Sequence, residues 1–338
     1  MKKWLLPLAG ILLSSALVGC DSKEASSNGG DGDTYEIRVA HLVSEEQSTH
    51  VALESFIDRV EDRSDGRLKI EAYPNGSLYG SDREAIEAVQ MGNLEMTIPA
   101  VAPLSGFNSK FMVFDLPFLF KTKEAAYSAL DGELGQSLLS DLEDEGFKGL
   151  AFGENGFRHM TNNKGPIESP EDLEGLKLRT MENPVHTDTF NALGANASPF
   201  AFGELYTSLQ QGTYDAMESP ISLIYTNKFY EVQDYLTKSG HFYAATILLM
   251  NKDFMDDLPE DLQTILEEEA ETYRDEQRKI ASEQDEEWVK ELEKEGVKIN
   301  ELTDEQKDAF IEATKSVYTD YEDEIGKDLI EQAKAANE

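Results

Sequence analysis

Strand-like and helix-like patterns of apolar residues alternate along the chain from Tyr35 onward. Residues 35–42 (YEIRVAHL) alternate apolar and polar positions as a half-buried strand does, residues 49–63 repeat apolar side chains at helical spacing, and residues 66–73 return to the strand pattern. Further short strands are predicted at residues 94–100, 148–153, 176–179 and 214–218. This alternation is typical of α/β folds with mostly parallel sheets, and no internal repeat interrupts it.

One predicted helix carries its own start and stop signals. Ser81 stands at the N-cap position and Glu84 follows three residues later, which is the pattern of a capping box. Gly92 is a typical residue at which a helix ends. The sequence therefore predicts both ends of this helix.

A long and highly charged helix is predicted from Pro259 to Lys294. Proline suits the first turn of a helix, and apolar residues recur at helical spacing through the segment. Such a helix is about 50 Å long, which exceeds the width of one small domain. A coiled-coil dimer and a strut lying across two domains both fit this length, and the irregular heptads favour the strut.

The first 19 residues predict an export signal. Lys2 and Lys3 precede an apolar run that is too short to span a membrane, and the run ends in LVGC, with Cys20 as the only cysteine of the chain. This ending resembles a bacterial lipobox, whose cysteine is lipidated and becomes the mature N-terminus; an ordinary signal peptide with an incidental thiol is the alternative. Residues 20–33 are then the lipidated cysteine and a flexible tether rich in Ser, Gly and Asp.

Composition narrows the possible partners. The chain has 338 residues, a length that suggests about two domains, and its 67 acidic and 30 basic residues leave a net charge of −37. Nucleic acids and anionic lipid surfaces are disfavoured as partners, because both require a basic face. A solvated acidic surface is the simplest explanation of the charge; adaptation to high salt is a hypothesis that stability independent of added salt would contradict. A single cysteine also excludes an internal disulfide.

Signatures of catalysis are absent from the sequence. It contains no GxSxG, HExxH, GxGxxG or P-loop motif, and its five histidines lack metal-ligand spacing. We therefore expect no enzyme activity, no cofactor and no metal.

Two arginines stand out in an otherwise acidic region. Arg158 and Arg179 are the only arginines between Glu84 and Tyr273, and each is predicted where a strand runs into a loop. Ligands of open α/β sheets gather beyond the carboxyl ends of strands, and a guanidinium binds a carboxylate in a bidentate manner. The two arginines therefore indicate an organic-acid site, although pairing of each with a nearby acidic side chain fits the same pattern.

Several motifs in a fixed order resemble a known family, the DctP-type solute-binding proteins of tripartite ATP-independent periplasmic (TRAP) transporters. The motifs are GSDREAIEAVQMGNLEMT, FDLPFLF, GLKLR, ALGANASPFAFGELYTSLQQGTYDAMESP and NKFYEVQDYL. The resemblance covers about residues 35–335 and implies a periplasmic-binding-protein-like flytrap of two α/β domains, with a long helix spanning both. The predicted division is residues 34–155 and 245–284 for domain I, and residues 156–244 and 285–338 for domain II.

The resemblance also implies roles for individual residues. Arg179, at the end of GLKLR, matches the principal carboxylate clamp, and Arg158 matches a second contact. Ser219 occupies the position of an asparagine that the family presents to the same carboxylate. A hydroxyl still donates a hydrogen bond but does not reproduce the geometry of an amide, so the third contact departs from the pattern.

Four further positions bear on the ligand. Phe202 matches an aromatic residue that packs on the ligand in this family, and His41 and Tyr243 are weaker candidates for ligand contact or for core packing. Ala100 stands where sialic-acid binders of the family carry a polar residue, which favours a compact mono- or dicarboxylate over a polyhydroxylated sugar acid.

The resemblance finally implies partners and a location. We expect a monomer, anchored outside the cytoplasm to the cell membrane through Cys20, that captures a small organic acid and delivers it to the TRAP permease subunits in the membrane. Three other functions stay open: an extracytoplasmic enzyme on the same scaffold, an ABC-type sugar binder, and a binding protein that serves a signalling receptor. The sugar binder is disfavoured because only two tryptophans are present.

Overall fold

A computed structural model describes residues 34–338 of the chain. The predicted signal peptide, the predicted lipidation site Cys20 and the predicted tether lie outside the described residues. The strands are β1 Tyr35–Ala40, β2 Leu68–Tyr73, β3 Met96–Thr97, β4 Phe147–Asn162, β5 Lys177–Thr180, β6 Asn196–Pro199, β7 Ala216–Pro220, β8 Tyr235–Asn251 and β9 Lys298–Glu301.

Helices pack on both sides of these strands. They are α1 Ser48–Arg63, α2 Asp82–Gln90, α3 Lys123–Asp131, α4 Glu133–Asp141, α5 Pro184–Ala192, α6 Leu205–Gln210, α7 Ile221–Thr226, α8 Lys252–Asp257, α9 Glu260–Lys294, α10 Asp304–Ala313, α11 Lys315–Asp320, α12 Glu322–Ile325 and α13 Lys327–Ala335. In the part of the chain that the structure describes, none of these helices combines the length and the apolar character needed to cross a membrane.

The strands form one mixed sheet in the order β2-β1-β3-β8-β4-β7-β5-β6, with β9 beside β8. The short strands pair in parallel, as the alternating pattern predicted. Antiparallel pairing occurs only where β4 or β8 takes part within residues 34–338. These two strands are the longest in the sheet; β4 was predicted only as the shorter segment 148–153, and β8 was not predicted as a strand.

Strands β4 and β8 join two halves of the molecule. They pair along almost their whole length, from Phe147 opposite Asn251 to Asn162 opposite Tyr235. The first half contains β1–β3 beside one end of this pair, and the second half contains β5–β7 and β9 beside the other end. Buried apolar side chains cover both faces of the sheet in each half.

Helix α9 runs through both halves. Its first turns pack Leu262 and Tyr273 into the core beneath α1, whereas Trp288 and Leu292 belong to the core of the second half. Residues 260–294 form one unbroken helix, so the predicted strut across two domains is confirmed.

The N-terminus of α2 follows the predicted cap only in part. The hydroxyl of Ser81 accepts a hydrogen bond from the Glu84 amide (3.2 Å), as expected. The Glu84 carboxylate, however, accepts from the amide of Gly80 (2.9 Å), one residue before the cap. The reciprocal half of the capping box is therefore displaced by one residue.

The exact division into domains stays a prediction. Its boundaries at 155/156 and 244/245 fall within β4 and β8, which pass between the halves without a break, and contacts run continuously through residues 34–338. Apolar residues of the C-terminal helices between Val317 and Ala333 pack in the same core as Phe111 and Leu138 of the first half.

Candidate functional site: a cleft with one unpaired arginine

A cleft between the two halves contains four of the six predicted binding residues. It encloses about 620 Å³ free of protein atoms, including the open space at its mouth. Its lining residues are Leu42, Val43, Ser81, Asp82, Ile98, Ala100, Pro103, Asn155, Arg158, Arg179, Met181, Glu182, Phe202, Ser219, Leu223 and Thr246. The wall is mostly apolar, with a few charged and polar groups.

Strand pairing brings the polar residues of the second half together. Strand β7, which carries Ser219, lies between β5 and β4 in the sheet. Arg179 of β5 pairs with Met217, and Arg158 of β4 pairs with Pro220. Residues far apart in sequence thereby become neighbours at one wall of the cleft. Arg158 lies within β4 rather than in the loop that the sequence predicted, because β4 continues to Asn162.

Arg179 is buried without a counter-ion. Its side chain is 4% exposed, its Nε donates to the Phe200 carbonyl oxygen (2.9 Å), and its Cζ lies 5.9 Å from the centre of the Phe202 ring. Among residues 34–338, no carboxylate oxygen lies within 4 Å of this guanidinium. Burial lowers the pKa of Arg179 to about 10, so it keeps its charge at neutral pH. A buried unpaired charge is unfavourable, and an anion in the cleft would relieve it.

Arg158, by contrast, is already paired with Glu218. Its Nε contacts the Glu218 carboxylate, and its Nη2 donates to Glu218 Oε1 (2.8 Å) and to the Glu218 carbonyl oxygen (2.9 Å). Both side chains are almost completely buried. This bidentate pair leaves the Nη1 group of Arg158 available to the cleft and adds no net charge to it.

Two histidines complete the surroundings of Glu218. Nε2 of His241 lies 3.3 Å from its carboxylate and Nδ1 of His186 lies 3.9 Å away. Burial alone would raise the pKa of Glu218, but Arg158 and the histidines outweigh it and hold the pKa well below its ordinary value. Glu218 therefore stays ionised.

The same network reaches the first half of the molecule. Nε2 of His186 lies 2.9 Å from Asp115, and Nδ2 of Asn183 donates to the other oxygen of Asp115 (2.8 Å). Burial disfavours a charged His186, but Asp115 and Glu218 raise its pKa overall. A continuous set of buried polar contacts therefore links Arg158 to both halves.

Ser219 and Phe202 line the cleft as predicted, and their contact with a ligand stays a prediction. The Ser219 hydroxyl is buried and has no hydrogen-bond partner among the described residues. A buried hydroxyl without a partner is unfavourable, and a hydrogen bond to a ligand would remove this cost. Phe202 is half-buried, with its ring edge-to-face against Phe229 at 5.8 Å.

His41 and Tyr243 do not line the cleft. Nε2 of His41 lies 3.0 Å from Nδ1 of His50, and burial lowers the pKa of His41 to about 3, so the ring is neutral. The Tyr243 ring packs edge-to-face against Phe120, Tyr127 and Phe157. Ligand contact by either residue stays a prediction that this geometry does not support.

Sequence reasoning missed the acidic groups of the site. Glu218 adjoins Ser219, but its pairing with a residue 60 positions earlier left no local signal. Asp82 and Glu182 line the cleft although nothing in their segments distinguished them from the many other acidic residues. Within residues 34–338, no cluster of His, Cys, Asp or Glu has the arrangement needed to hold a metal ion.

Comparison with known proteins decides the family. The DctP family model, described as bacterial extracellular solute-binding protein, family 7, matches residues 39–324. The chain belongs to the DctP family. The predicted resemblance is thereby confirmed, together with the two-domain α/β flytrap fold. A solute-binding protein of Verminephrobacter eiseniae is 40% identical over 87% of this chain and 88% of its own length.

Solved DctP-type structures share the fold closely. The sugar acid binding protein of Advenella mimigardefordensis in complex with galactonate superposes with a TM-score of 0.88, at 36% identity, over 90% of this chain and 98% of its own. A TRAP periplasmic solute-binding protein of Sulfurospirillum deleyianum with bound succinate gives a TM-score of 0.86, at 35% identity, over 90% of this chain and 100% of its own. DctP proteins of similar sequence therefore bind acids of different chemistry.

Proposed function

We propose that this DctP protein captures a small organic acid through Arg179 and delivers it to TRAP permease subunits in the membrane. The observation that carries the proposal is the buried guanidinium of Arg179, which has no carboxylate partner among residues 34–338 and lies in a cleft lined by both halves. A ligand carboxylate supplies the missing counter-ion. The protein acts as a binder rather than a catalyst, and detection of a chemically altered acid by NMR would contradict this.

Affinity in the micromolar range is reasonable for such a site. Hydrogen bonds to charged groups contribute about 1.5–3 kcal/mol each. Two from Arg179, one from Nη1 of Arg158 and one from Ser219 contribute about 6–12 kcal/mol before the costs of association, whereas binding at about 1 μM requires roughly −8 kcal/mol after them. Closure of the two halves over the ligand adds contacts that exist only in the closed form.

The test is ligand-induced thermal stabilisation against a panel of organic acids. Arg179→Met should abolish the shift given by the acid that stabilises the wild-type protein, since losing two charge-assisted bonds weakens binding by more than about 100-fold. Arg274→Met is the matched control, because Arg274 pairs with the exposed Asp275 and does not line the cleft. An unchanged shift in Arg179→Met would contradict the proposal.

We also propose that Cys20 carries a lipid that anchors the protein to the cell membrane outside the cytoplasm, on the periplasmic side or on the outer surface of the cytoplasmic membrane. The proposal rests on the lipobox-like sequence that ends at the only cysteine. Cys20→Ala should prevent labelling with radioactive palmitate, because it removes the thiol that carries the lipid. Labelling that survives this substitution would contradict the proposal.

A further inference from the structure

The cleft wall contributed by the first half carries an acidic group. Asp82 is the first residue of α2, is half-buried and lines the same cleft as Arg179. Its Oδ2 accepts a hydrogen bond from the Ala100 amide (3.3 Å), and no Lys, Arg or His nitrogen lies within 4 Å of it among the described residues. This wall is therefore not apolar, although the Ala100 side chain is, because the Ala100 amide binds the Asp82 carboxylate beside it.

Two residues that line the same cleft have hydroxyl groups without hydrogen-bond partners among the described residues. Thr246 is 2% exposed and Ser219 is 1% exposed. The hydroxyl oxygen of each has no hydrogen-bond partner within residues 34–338. Both line the cleft, one from β8 and one from β7. Each hydroxyl both donates and accepts, so together they suit a ligand with hydroxyl groups of its own.

The balance of charge argues against a ligand with two carboxylates. Arg158 is paired with Glu218, so Arg179 is the one guanidinium in the described lining that has no carboxylate oxygen within 4 Å. Asp82 and Glu182 face the same space. A second ligand carboxylate would meet these acidic groups without a free cation to receive it, whereas a ligand hydroxyl donates to them favourably.

We propose that the bound acid is a hydroxylated monocarboxylate of the sugar-acid class, with its carboxylate on Arg179 and a hydroxyl donating to Asp82. This assignment rests on the proposed function and adds the chemistry of the rest of the ligand. It differs from the sequence-based preference for a compact mono- or dicarboxylate, which took Ala100 as evidence of an apolar wall.

The charge on Asp82 depends on pH near neutrality. Burial raises its pKa to about 7, while Arg179 and Arg158 lower it and Glu182 raises it further. At pH 8 the carboxylate is mostly ionised and acts as an acceptor. Measurements of ligand preference therefore belong at pH 8, where repulsion of a second carboxylate is strongest.

The experiment compares four-carbon acids that differ only in the groups away from the first carboxylate. Isothermal titration calorimetry of the full-length protein at pH 8 measures D-erythronate and L-threonate, which carry three hydroxyls, butanoate, which carries none, and succinate, which carries a second carboxylate. D-Galactonate extends the series to six carbons. We expect at least one hydroxylated acid to bind at least tenfold more tightly than both butanoate and succinate.

Substitution of Asp82 then tests the contact itself. Asp82→Asn should reduce the preference for the hydroxylated acid over succinate at least tenfold, because it weakens the hydroxyl acceptor and removes the repulsion. Asp275→Asn, an exposed substitution on α9, should leave the preference unchanged. If the unfolding temperature shows that Asp82→Asn is not folded, Asp82→Ser takes its place.

The outcomes separate the two proposals. Tightest binding of succinate or butanoate, or an equal loss for all acids in Asp82→Asn, overturns the sugar-acid assignment and leaves the carboxylate-binding function standing. Failure of every acid in the panel to bind the wild-type protein overturns both.

Discussion

Two buried arginines in one cleft have opposite surroundings. Arg158 lies within the long strand β4, where Glu218 of the adjacent strand binds it in a bidentate manner and two histidines surround the pair. Arg179 lies near the end of the short strand β5, with a backbone carbonyl as its hydrogen-bond partner within residues 34–338. Burial of an arginine therefore does not by itself define a ligand site; the absence of a counter-ion does. Arg158 contributes mainly to stability through Glu218, and Arg179 is the main group available to bind an anion.

The largest expected difference is in folding stability. Arg158→Met leaves Glu218 buried without its main cation and should lower the free energy of unfolding by about 3–5 kcal/mol, measured by urea denaturation. The double variant Arg158→Met/Glu218→Leu should be less destabilised than the single variant, because the pair is removed together. Additive effects would show that the two side chains do not stabilise each other.

Acid sensitivity should separate the same two arginines. The folded pKa of Glu218 lies well below its ordinary 4.5, so its contribution to stability is present above about pH 4.5 and is lost as the pH falls below that value. In Arg158→Met that pKa rises, and the acid limb of the stability profile should become shallower by up to about 1 kcal/mol per pH unit. Arg179→Met should change this limb less than Arg158→Met does, because Arg179 attracts Glu218 without a contact within 4 Å. Urea titrations from pH 3 to pH 7 measure the free energy of unfolding of the wild-type protein and of both variants. The same pH dependence in all three proteins would contradict the stabilising pair of Arg158 with Glu218.

The smallest expected effect is on the unliganded protein when Arg179 is replaced. Arg179→Met removes a buried charge that has no carboxylate partner among the described residues, but it also frees the Phe200 carbonyl oxygen. The free energy of unfolding should therefore stay equal or rise by up to about 1 kcal/mol. A loss of several kcal/mol, as in Arg158→Met, would mean that Arg179 stabilises the fold and would remove the contrast.

The order of most helices and strands along the chain was predictable, because the periodicity of apolar residues is a local property. The alternating elements, the long helix α9 and the hydroxyl cap of Ser81 all follow from residues within a few turns of one another. The extent of β4 and β8 was not predictable, since Gly153 and Gly156 interrupt the strand pattern and only pairing between the two long strands maintains it. His41 and Tyr243 were singled out for their positions in the chain, and only packing shows that neither lines the cleft.

By itself, the sequence determined the α/β class, the family resemblance and the importance of two arginines in an acidic chain. Only the tertiary structure decided which arginine is free, because the partner of Arg158 lies 60 residues away and reaches it through the pairing of β4 with β7. The tertiary structure also placed Asp82 in the same cleft lining as Arg179, although they belong to different segments of the chain. Charge balance in a site depends on distances between strands and helices, which local sequence patterns do not encode.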